Sequence, residues 1–158
     1  SAIEVIFNMF RLKPVEELFP AAKKNNIGIL TRVPLASGLL TGRYNKDTTF
    51  GPQDHRTYNR DGSAFDKGET FSGVDFDLGL QAVAELKALF GTEDLIPYAL
   101  RWILMHDAVS AVIPGASKTA QVASNVRAAQ LPALTQAQMD GVKAIYDRLI
   151  RPSVHQNW

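Results

Sequence analysis

Three short apolar stretches, separated by longer amphipathic ones, constrain the fold of this chain more than any other feature. Residues 2–7, 27–33 and 108–113 are rich in Ile, Val, Leu and Ala and have the length of buried strands. Between them, apolar residues recur at the spacing of amphipathic helices. Strands joined by helical crossovers are parallel. The sequence therefore predicts an α/β fold with three parallel strands, flanking helices and a C-terminal helix.

Proline, glycine and capping residues indicate where the predicted helices begin and end. Pro14 occupies the first turn of the first helix, where a missing N–H is tolerated. Gly91 ends a helix that follows the second strand, and Ser117 or Thr119 opens the helix that follows the third. Pro152 is predicted to end the last helix.

Residues 37–75 lie between the second strand and the next helix and show little periodicity. A segment of this length is much longer than ordinary connections in a compact domain, and we interpret it as a large loop over a site, with room for a helical turn of its own. Its mixed charges, which include Asp54, Arg56 and Arg60, are most simply explained by a solvated loop. The alternative interpretation is a lid over a substrate-binding site.

Composition excludes several classes of protein. The 158 residues are 46% hydrophobic and 21% charged, as in globular domains. A net charge of +1, without runs of basic and aromatic residues, predicts no nucleic-acid partner. The chain has no cysteine, which suits a cytoplasmic protein, and no apolar stretch near the ~18 residues of a membrane span, so no membrane partner is expected. Its histidines, at 55, 106 and 155, lack a second ligand at metal-binding spacing, so no metal site is predicted.

Two segments resemble signatures of the aldo-keto reductase family. The first is RVPLASGLLTGRY at residues 32–44, and the second is IPGASK at residues 113–118, which continues to Gln121 and Asn125. The stretch FNMF at residues 7–10 supports the resemblance. The similarity covers essentially the whole chain and implies a partial TIM (β/α)8 barrel, whose complete form needs about 250 residues. We expect residues 1–158 to supply strands six to eight of one domain that is incomplete at its N-terminus.

The resemblance implies an NADP(H) site at the ends of the second and third strands. Loops at these positions of a barrel often bind phosphate, because backbone N–H groups and helix N-termini point there. The candidate cofactor-binding residues are Pro34, Leu35, Ser37, Gly38, Arg43, Gly115, Ser117, Lys118, Gln121 and Asn125. Arg43 would pair with the pyrophosphate and Lys118 with a 2′-phosphate, which favours NADP(H) over NAD(H). The resemblance adds Ser117 and Gln121 to the 2′-phosphate site and places Asn125 against adenine.

Three positions depart from the family pattern. Glu4 stands where many members have a Gln that bonds the nicotinamide carboxamide. Arg32 stands where others place an aromatic side chain against the nicotinamide ring, and its charge there would disfavour the oxidised cofactor. Ser124 occupies a position where the family often has a Glu that contacts adenine.

The family's catalytic Asp, Tyr, Lys and His come from the first four strands, and no segment here resembles those regions. We therefore predict no catalytic residue in this chain and no activity for the chain alone. The complete protein would be an NADP(H)-dependent oxidoreductase that reduces a small aldehyde or ketone of unspecified identity to an alcohol. The alternatives are a nucleotide-sensing accessory module similar to potassium-channel beta subunits, and a truncated product without activity. Open sheet edges predict association with the missing N-terminal half or self-association.

Overall fold

A three-stranded parallel sheet, in the order β1-β2-β3, forms the centre of the computed structural model, which describes residues 1–157. The strands are β1 (Ala2–Ile6), β2 (Gly28–Arg32) and β3 (Val109–Val112). Strand β2 lies between the others, and its register against β3 shifts between Ile29 and Leu30. The predicted parallel strands are confirmed.

Helices connect the strands and cover one face of the sheet. They are α1 (Leu18–Lys24), α2 (His55–Tyr58), α3 (Phe76–Phe90), α4 (Ile96–Leu104), α5 (Thr119–Ala128), α6 (Gln136–Ile145) and α7 (Arg151–Val154). The side chain of Asp75 accepts a hydrogen bond from the backbone N–H of Leu78 at 3.0 Å and so caps the start of α3. Gly91, with φ of 62°, ends α3 as predicted. None of the helices within residues 1–157 has the length and apolar character needed to cross a membrane.

The two faces of the sheet differ in burial. Side chains alternate along β2, so that Ile29 and Thr31 are fully buried on the helix side. Gly28, Leu30 and Arg32 point to the other face and are partly exposed. Along β2, this second face is therefore the more exposed of the two.

An aromatic cluster fastens the first strand to two helices. The ring of Phe7, directly after β1, stacks on Trp102 of α4 with centroids 5.0 Å apart. It also meets Phe19 of α1 edge-on at 4.8 Å. Burial of three large aromatic side chains contributes several kcal/mol of hydrophobic stabilisation. The end of β1 is therefore held rigidly against the rest of the molecule.

The first helical segment is divided in two, which corrects the prediction that Pro14 opens one helix. Pro14 lies in a separate 3-10 turn, Lys13–Val15, and α1 begins only at Leu18. The backbone of Glu17, with φ of −128° and ψ of −46°, is not helical and separates the two. The proline does occupy a first turn, but that of a shorter element.

The last helix does not end at Pro152, which is a second correction. After α6 the chain makes a π turn, Tyr146–Ile150, in which the N–H of Arg151 bonds the carbonyl of Tyr146. The wider turn places Pro152 in the first turn of α7, where the missing N–H has no helical partner to lose. The helix therefore continues past the proline to Val154.

The segment 37–75 contains a helical turn of its own, α2, and it also contributes residues to the core. Asn59, Thr70, Phe71 and Ser72 are all buried. The Asn59 side-chain oxygen accepts hydrogen bonds from two backbone N–H groups, at 2.9 and 2.8 Å, and its amide donates to Thr70 Oγ1 at 3.2 Å. These contacts replace the secondary structure that the segment largely lacks.

Candidate cofactor-binding site

The candidate residues form two groups that follow neighbouring strands. Residues 34–43 come after β2, and residues 115–125 come after β3 and include the first turns of α5. The carboxyl ends of parallel strands lie at one edge of a sheet, where α/β proteins bind ligands. The fold therefore brings both groups to the same side of the molecule.

The N-terminus of α5 carries a group of hydrogen-bond donors that are satisfied by one side chain. Gln121 Oε1 accepts from the backbone N–H of Ser117 at 2.7 Å, from the N–H of Lys118 at 3.0 Å and from Ser117 Oγ at 3.2 Å. The first N–H groups of a helix lack helical partners and favour anions. The carboxamide oxygen therefore accepts the hydrogen bonds that these groups could otherwise donate to an anion. Gln121 must turn away before an anion can bind these N–H groups.

A surface pocket of about 210 Å³ joins the two groups. Its lining residues are Arg43, Ile96, Ala120, Gln121, Ser124 and Asn125. Sites for whole drug-sized ligands are larger, about 300–1,000 Å³. The pocket can therefore hold only part of a nucleotide. Its polar groups include one cation, one hydroxyl and two side-chain amides.

The two candidate glycines serve different purposes. A Cβ added to Gly115 would meet no atom within 4 Å, so this backbone is open to close approach by a ligand. Gly38 has φ of +99°, and a Cβ there would lie 2.2 Å from Tyr44 Oη. The packing of Tyr44 thus already requires glycine at position 38, whereas no contact among residues 1–157 requires it at position 115.

The backbone after β2 is strained. Val33, Ala36 and Ser37 have φ of 51°, 47° and 55°, in the left-handed region that disfavours residues other than glycine. For a β-branched residue such as Val33 this conformation is a true outlier, and each such residue costs about 1–3 kcal/mol. Strained backbone persists only where surrounding contacts hold it, and it is concentrated at functional sites.

Asn8 supplies much of the support for this strained segment. Its fully buried amide donates to the carbonyl of Val33 at 2.9 Å and to Ser72 Oγ at 2.8 Å. Its oxygen accepts from the N–H of Phe10 at 2.8 Å. One side chain therefore connects the ends of β1 and β2 to the 37–75 segment.

The hydroxyl of Ser37 makes its hydrogen bonds within the protein. It donates to the carbonyl of Glu69 at 3.1 Å and accepts from the N–H of Phe71 at 3.1 Å. Pro34 is buried and Leu35 packs against the core. These three candidates shape the turn after β2, and a cofactor would meet their backbone rather than the Ser37 hydroxyl.

A charged cluster lies at the open end of β2, formed by Glu4, Arg32 and Glu69. Arg32 donates two hydrogen bonds to the carboxylate of Glu69, at 2.7 and 2.5 Å, and its Nε lies 3.9 Å from Glu4 Oε1. The side-chain hydrogen bond between Arg32 and Glu69 raises the pKa of Arg32 and lowers the pKa of Glu69. Nothing in the sequence marks Glu69, because it is 37 residues from Arg32 and stands in a segment without periodicity.

His106 is half-buried and packs against the aromatic cluster. Its ring packs against Phe7 and Trp102 with centroids 4.8 and 4.6 Å apart, and Nδ1 lies 3.0 Å from the carbonyl of Trp102. Burial lowers the pKa of His106, which favours its neutral form. Across residues 1–157, no three or more His, Asp or Glu side chains are grouped so that they could hold a metal ion.

Parallel strands, helical crossovers and polar residues at the carboxyl ends of the strands define a partial (β/α)8 barrel. The sequence profile of the aldo/keto reductase family matches residues 1–147, and the chain belongs to this family of oxidoreductases.

Two curated relatives illustrate the match. A probable voltage-gated potassium channel subunit beta from Arabidopsis thaliana is 30% identical over 88% of this chain and 42% of the relative's length. L-glyceraldehyde 3-phosphate reductase from Escherichia coli is 31% identical over 70% of this chain and 31% of its own length. The chain thus spans less than half the length of these relatives.

Solved structures show the same fold. The glycerol dehydrogenase of Gluconobacter oxydans has a TM-score of 0.73 and 31% identity, covering 95% of this chain and 43% of that protein. The holo form of an aldo-keto reductase from Bacillus halodurans has a TM-score of 0.67 over 92% of this chain and 42% of that protein. At 24% identity, the second likeness supports the fold alone.

Proposed function

We propose that this chain forms the phosphate and adenine side of an NADP(H) site in an oxidoreductase that reduces aldehydes or ketones to alcohols. The observation that carries the proposal is the pocket in which Arg43, from the segment after β2, meets Gln121 and Asn125 of α5. It lies beside the donor-rich start of α5, where Ser117 and Lys118 are exposed.

These residues suit the chemistry of the cofactor. The guanidinium of Arg43 pairs with the pyrophosphate, and the ammonium of Lys118 with the 2′-phosphate. When Gln121 turns outward, the N–H groups of Ser117 and Lys118 become available to phosphate oxygens. The amide of Asn125 both donates and accepts, as an adenine edge requires. Gly115 leaves room for the pyrophosphate.

The cofactor supplies the hydride when it is bound, and the chain contributes its binding and orientation. No residue here is assigned the role of proton donor to the carbonyl oxygen. In the proposed function that group comes from a complementary segment, so the chain alone is expected to give no turnover. NADPH oxidation with a generic aldehyde well above the buffer rate would contradict this expectation.

The surface beside β3 suits association with such a segment. Strands β1 and β3 each pair on one side only, so both leave a free edge. Near β3, Ile113, Val122 and Val126 are 49%, 51% and 60% exposed. Free edges and exposed apolar side chains favour protein association. We propose that an N-terminal half of the barrel or a second copy covers them.

A second candidate function is nucleotide sensing without turnover. It is favoured by the potassium channel beta subunit relative, which aligns with 88% of this chain. Both functions use the same phosphate and adenine contacts, and they differ in whether the complementary segment carries the groups for proton transfer. Sustained NADPH oxidation by the completed barrel would favour the reductase over the sensor.

The test of the cofactor site is a fluorescence titration of the 158-residue chain with NADPH and NADH. Loss of a charge-assisted phosphate contact typically costs about 1.5–3 kcal/mol, so Lys118→Ala is expected to weaken NADPH binding by about 10- to 100-fold. Binding of NADH should stay the same, because it lacks the 2′-phosphate. Lys24→Ala, an exposed lysine at the end of α1, is the matched control. A preference for NADPH that survives in Lys118→Ala would refute the assigned 2′-phosphate contact.

A further inference from the structure

We propose that the Glu4–Arg32–Glu69 cluster makes the protein bind the oxidised cofactor, NADP⁺, more tightly than NADPH. This inference rests on the proposed function and on the family resemblance, which implies that the nicotinamide ring lies beside Glu4 and Arg32 at the end of β2. It concerns the redox state that the site prefers, which neither the fold nor the phosphate contacts determine.

The geometry of the cluster sets the net charge near the ring. Glu4 and Arg32 lie on the same face of neighbouring strands, since Ile6 pairs with Arg32 in the register and side chains repeat every second residue. Glu69 reaches this face from the segment before α3 and binds the guanidinium through both carboxylate oxygens. Arg32 is thus neutralised by one carboxylate and approached by a second.

The charges do not cancel. Two carboxylates, Glu4 and Glu69, face one guanidinium, so the cluster carries a net charge of −1. Arg11, Asp66 and His55 also act on this cluster electrostatically. Arg11 and Asp66 have opposite charges, and histidine is counted as neutral at pH 7, so the net charge is unchanged. The low pKa of Glu69 keeps its carboxylate ionised at neutral pH.

A net negative charge discriminates between the two forms of the cofactor. The nicotinamide ring of NADP⁺ carries a positive charge, and the dihydronicotinamide ring of NADPH is neutral. Coulomb attraction therefore stabilises NADP⁺ and acts little on NADPH. An unpaired Arg32 would have the opposite effect, so the two carboxylates together reverse the sign of the field that Arg32 alone would produce.

Solvent limits the size of the effect. The side chains of Glu69, Arg32 and Glu4 are 30%, 35% and 55% exposed, so the field is partly screened. Removal of one charge under these conditions is expected to change the ratio of the two dissociation constants by about fivefold. The change should shrink as salt is added.

The experiment measures dissociation constants of the 158-residue chain for NADP⁺ and NADPH by isothermal titration calorimetry at low salt. Glu69→Gln should raise the NADP⁺ constant about fivefold relative to the NADPH constant. Glu4→Gln should shift the ratio in the same direction and tests the field without breaking the Arg32–Glu69 contact. The control is Glu93→Gln, whose carboxylate is 90% exposed and pairs with Lys87.

The outcomes separate this inference from the proposed function. Binding of both cofactors with an unchanged ratio in Glu69→Gln and Glu4→Gln would overturn the inference and leave the proposed function in place. Absence of binding by either cofactor would overturn both. If Glu69→Gln fails to fold, the ratio for Glu4→Gln decides alone.

Discussion

Replacement of Asn8 with alanine is expected to destabilise the protein by about 3–5 kcal/mol, because each buried group left without its hydrogen bond costs roughly 1–3 kcal/mol. The side chain makes three hydrogen bonds of 2.8–2.9 Å and is fully buried. Its loss leaves the Val33 carbonyl, the Ser72 hydroxyl and the Phe10 N–H without this partner. It also frees Val33 to leave its strained conformation, with φ of 51°. Domains are stable by only about 5–15 kcal/mol, so the variant should be close to unfolding.

Urea denaturation, followed by tryptophan fluorescence and circular dichroism, measures this loss. Asn25→Ala is the matched control, because the Asn25 amide makes one hydrogen bond, 2.8 Å to the Ala21 carbonyl, at the exposed end of α1. The control should lose no more than about 0.5 kcal/mol. Asn8→Asp keeps an acceptor for the Phe10 N–H but removes both donors, so it should be about as unstable as Asn8→Ala. A loss below about 1 kcal/mol in Asn8→Ala would refute the reasoning that this residue supports the strained turn.

Two further predictions concern the site and the 37–75 segment. Gly115→Ala should change the free energy of unfolding by less than about 0.5 kcal/mol, because the added Cβ meets no atom within 4 Å. The same Cβ should weaken NADPH binding, and wild-type affinity for NADPH would contradict close approach of the pyrophosphate to this backbone. The Arg56 hydrogen bond lowers the pKa of Asp54 from 3.8 to about 2, so its stabilisation is present above pH 3.8 and lost as pH falls toward 2. Allowing for solvent screening, Asp54→Asn should lower the free energy of unfolding by about 1 kcal/mol at pH 7 and by less near pH 3, as measured by urea denaturation. An equal loss at the two pH values would contradict the assigned Asp54–Arg56 contact.

The sequence predicts the strands well because their signals are local. Residues 27–33 form a mostly apolar run bounded by two asparagines and a proline, and the structure places β2 there. Pro152 shows the limit of local rules, since whether it ends a helix depends on the π turn before it. The Arg32–Glu69 pair and the hydrogen bonds of Asn8 join residues that are distant in sequence. No periodicity or spacing marks such contacts, so only the folded chain reveals them.

The two ends of the candidate site are built differently, and each should respond differently to substitution. At the start of α5, Ser117, Lys118 and Gln121 are exposed, so a change to the side chain of Ser117 or Lys118 removes a ligand contact and few protein contacts. At the end of β2, Asn8 and Ser37 hold strained backbone in place through buried or half-buried hydrogen bonds. Substitutions at the first end should therefore change cofactor affinity at constant stability, whereas those at the second should change both together. A set of variants in which affinity and stability were coupled at both ends would show that the start of α5 is also a structural element.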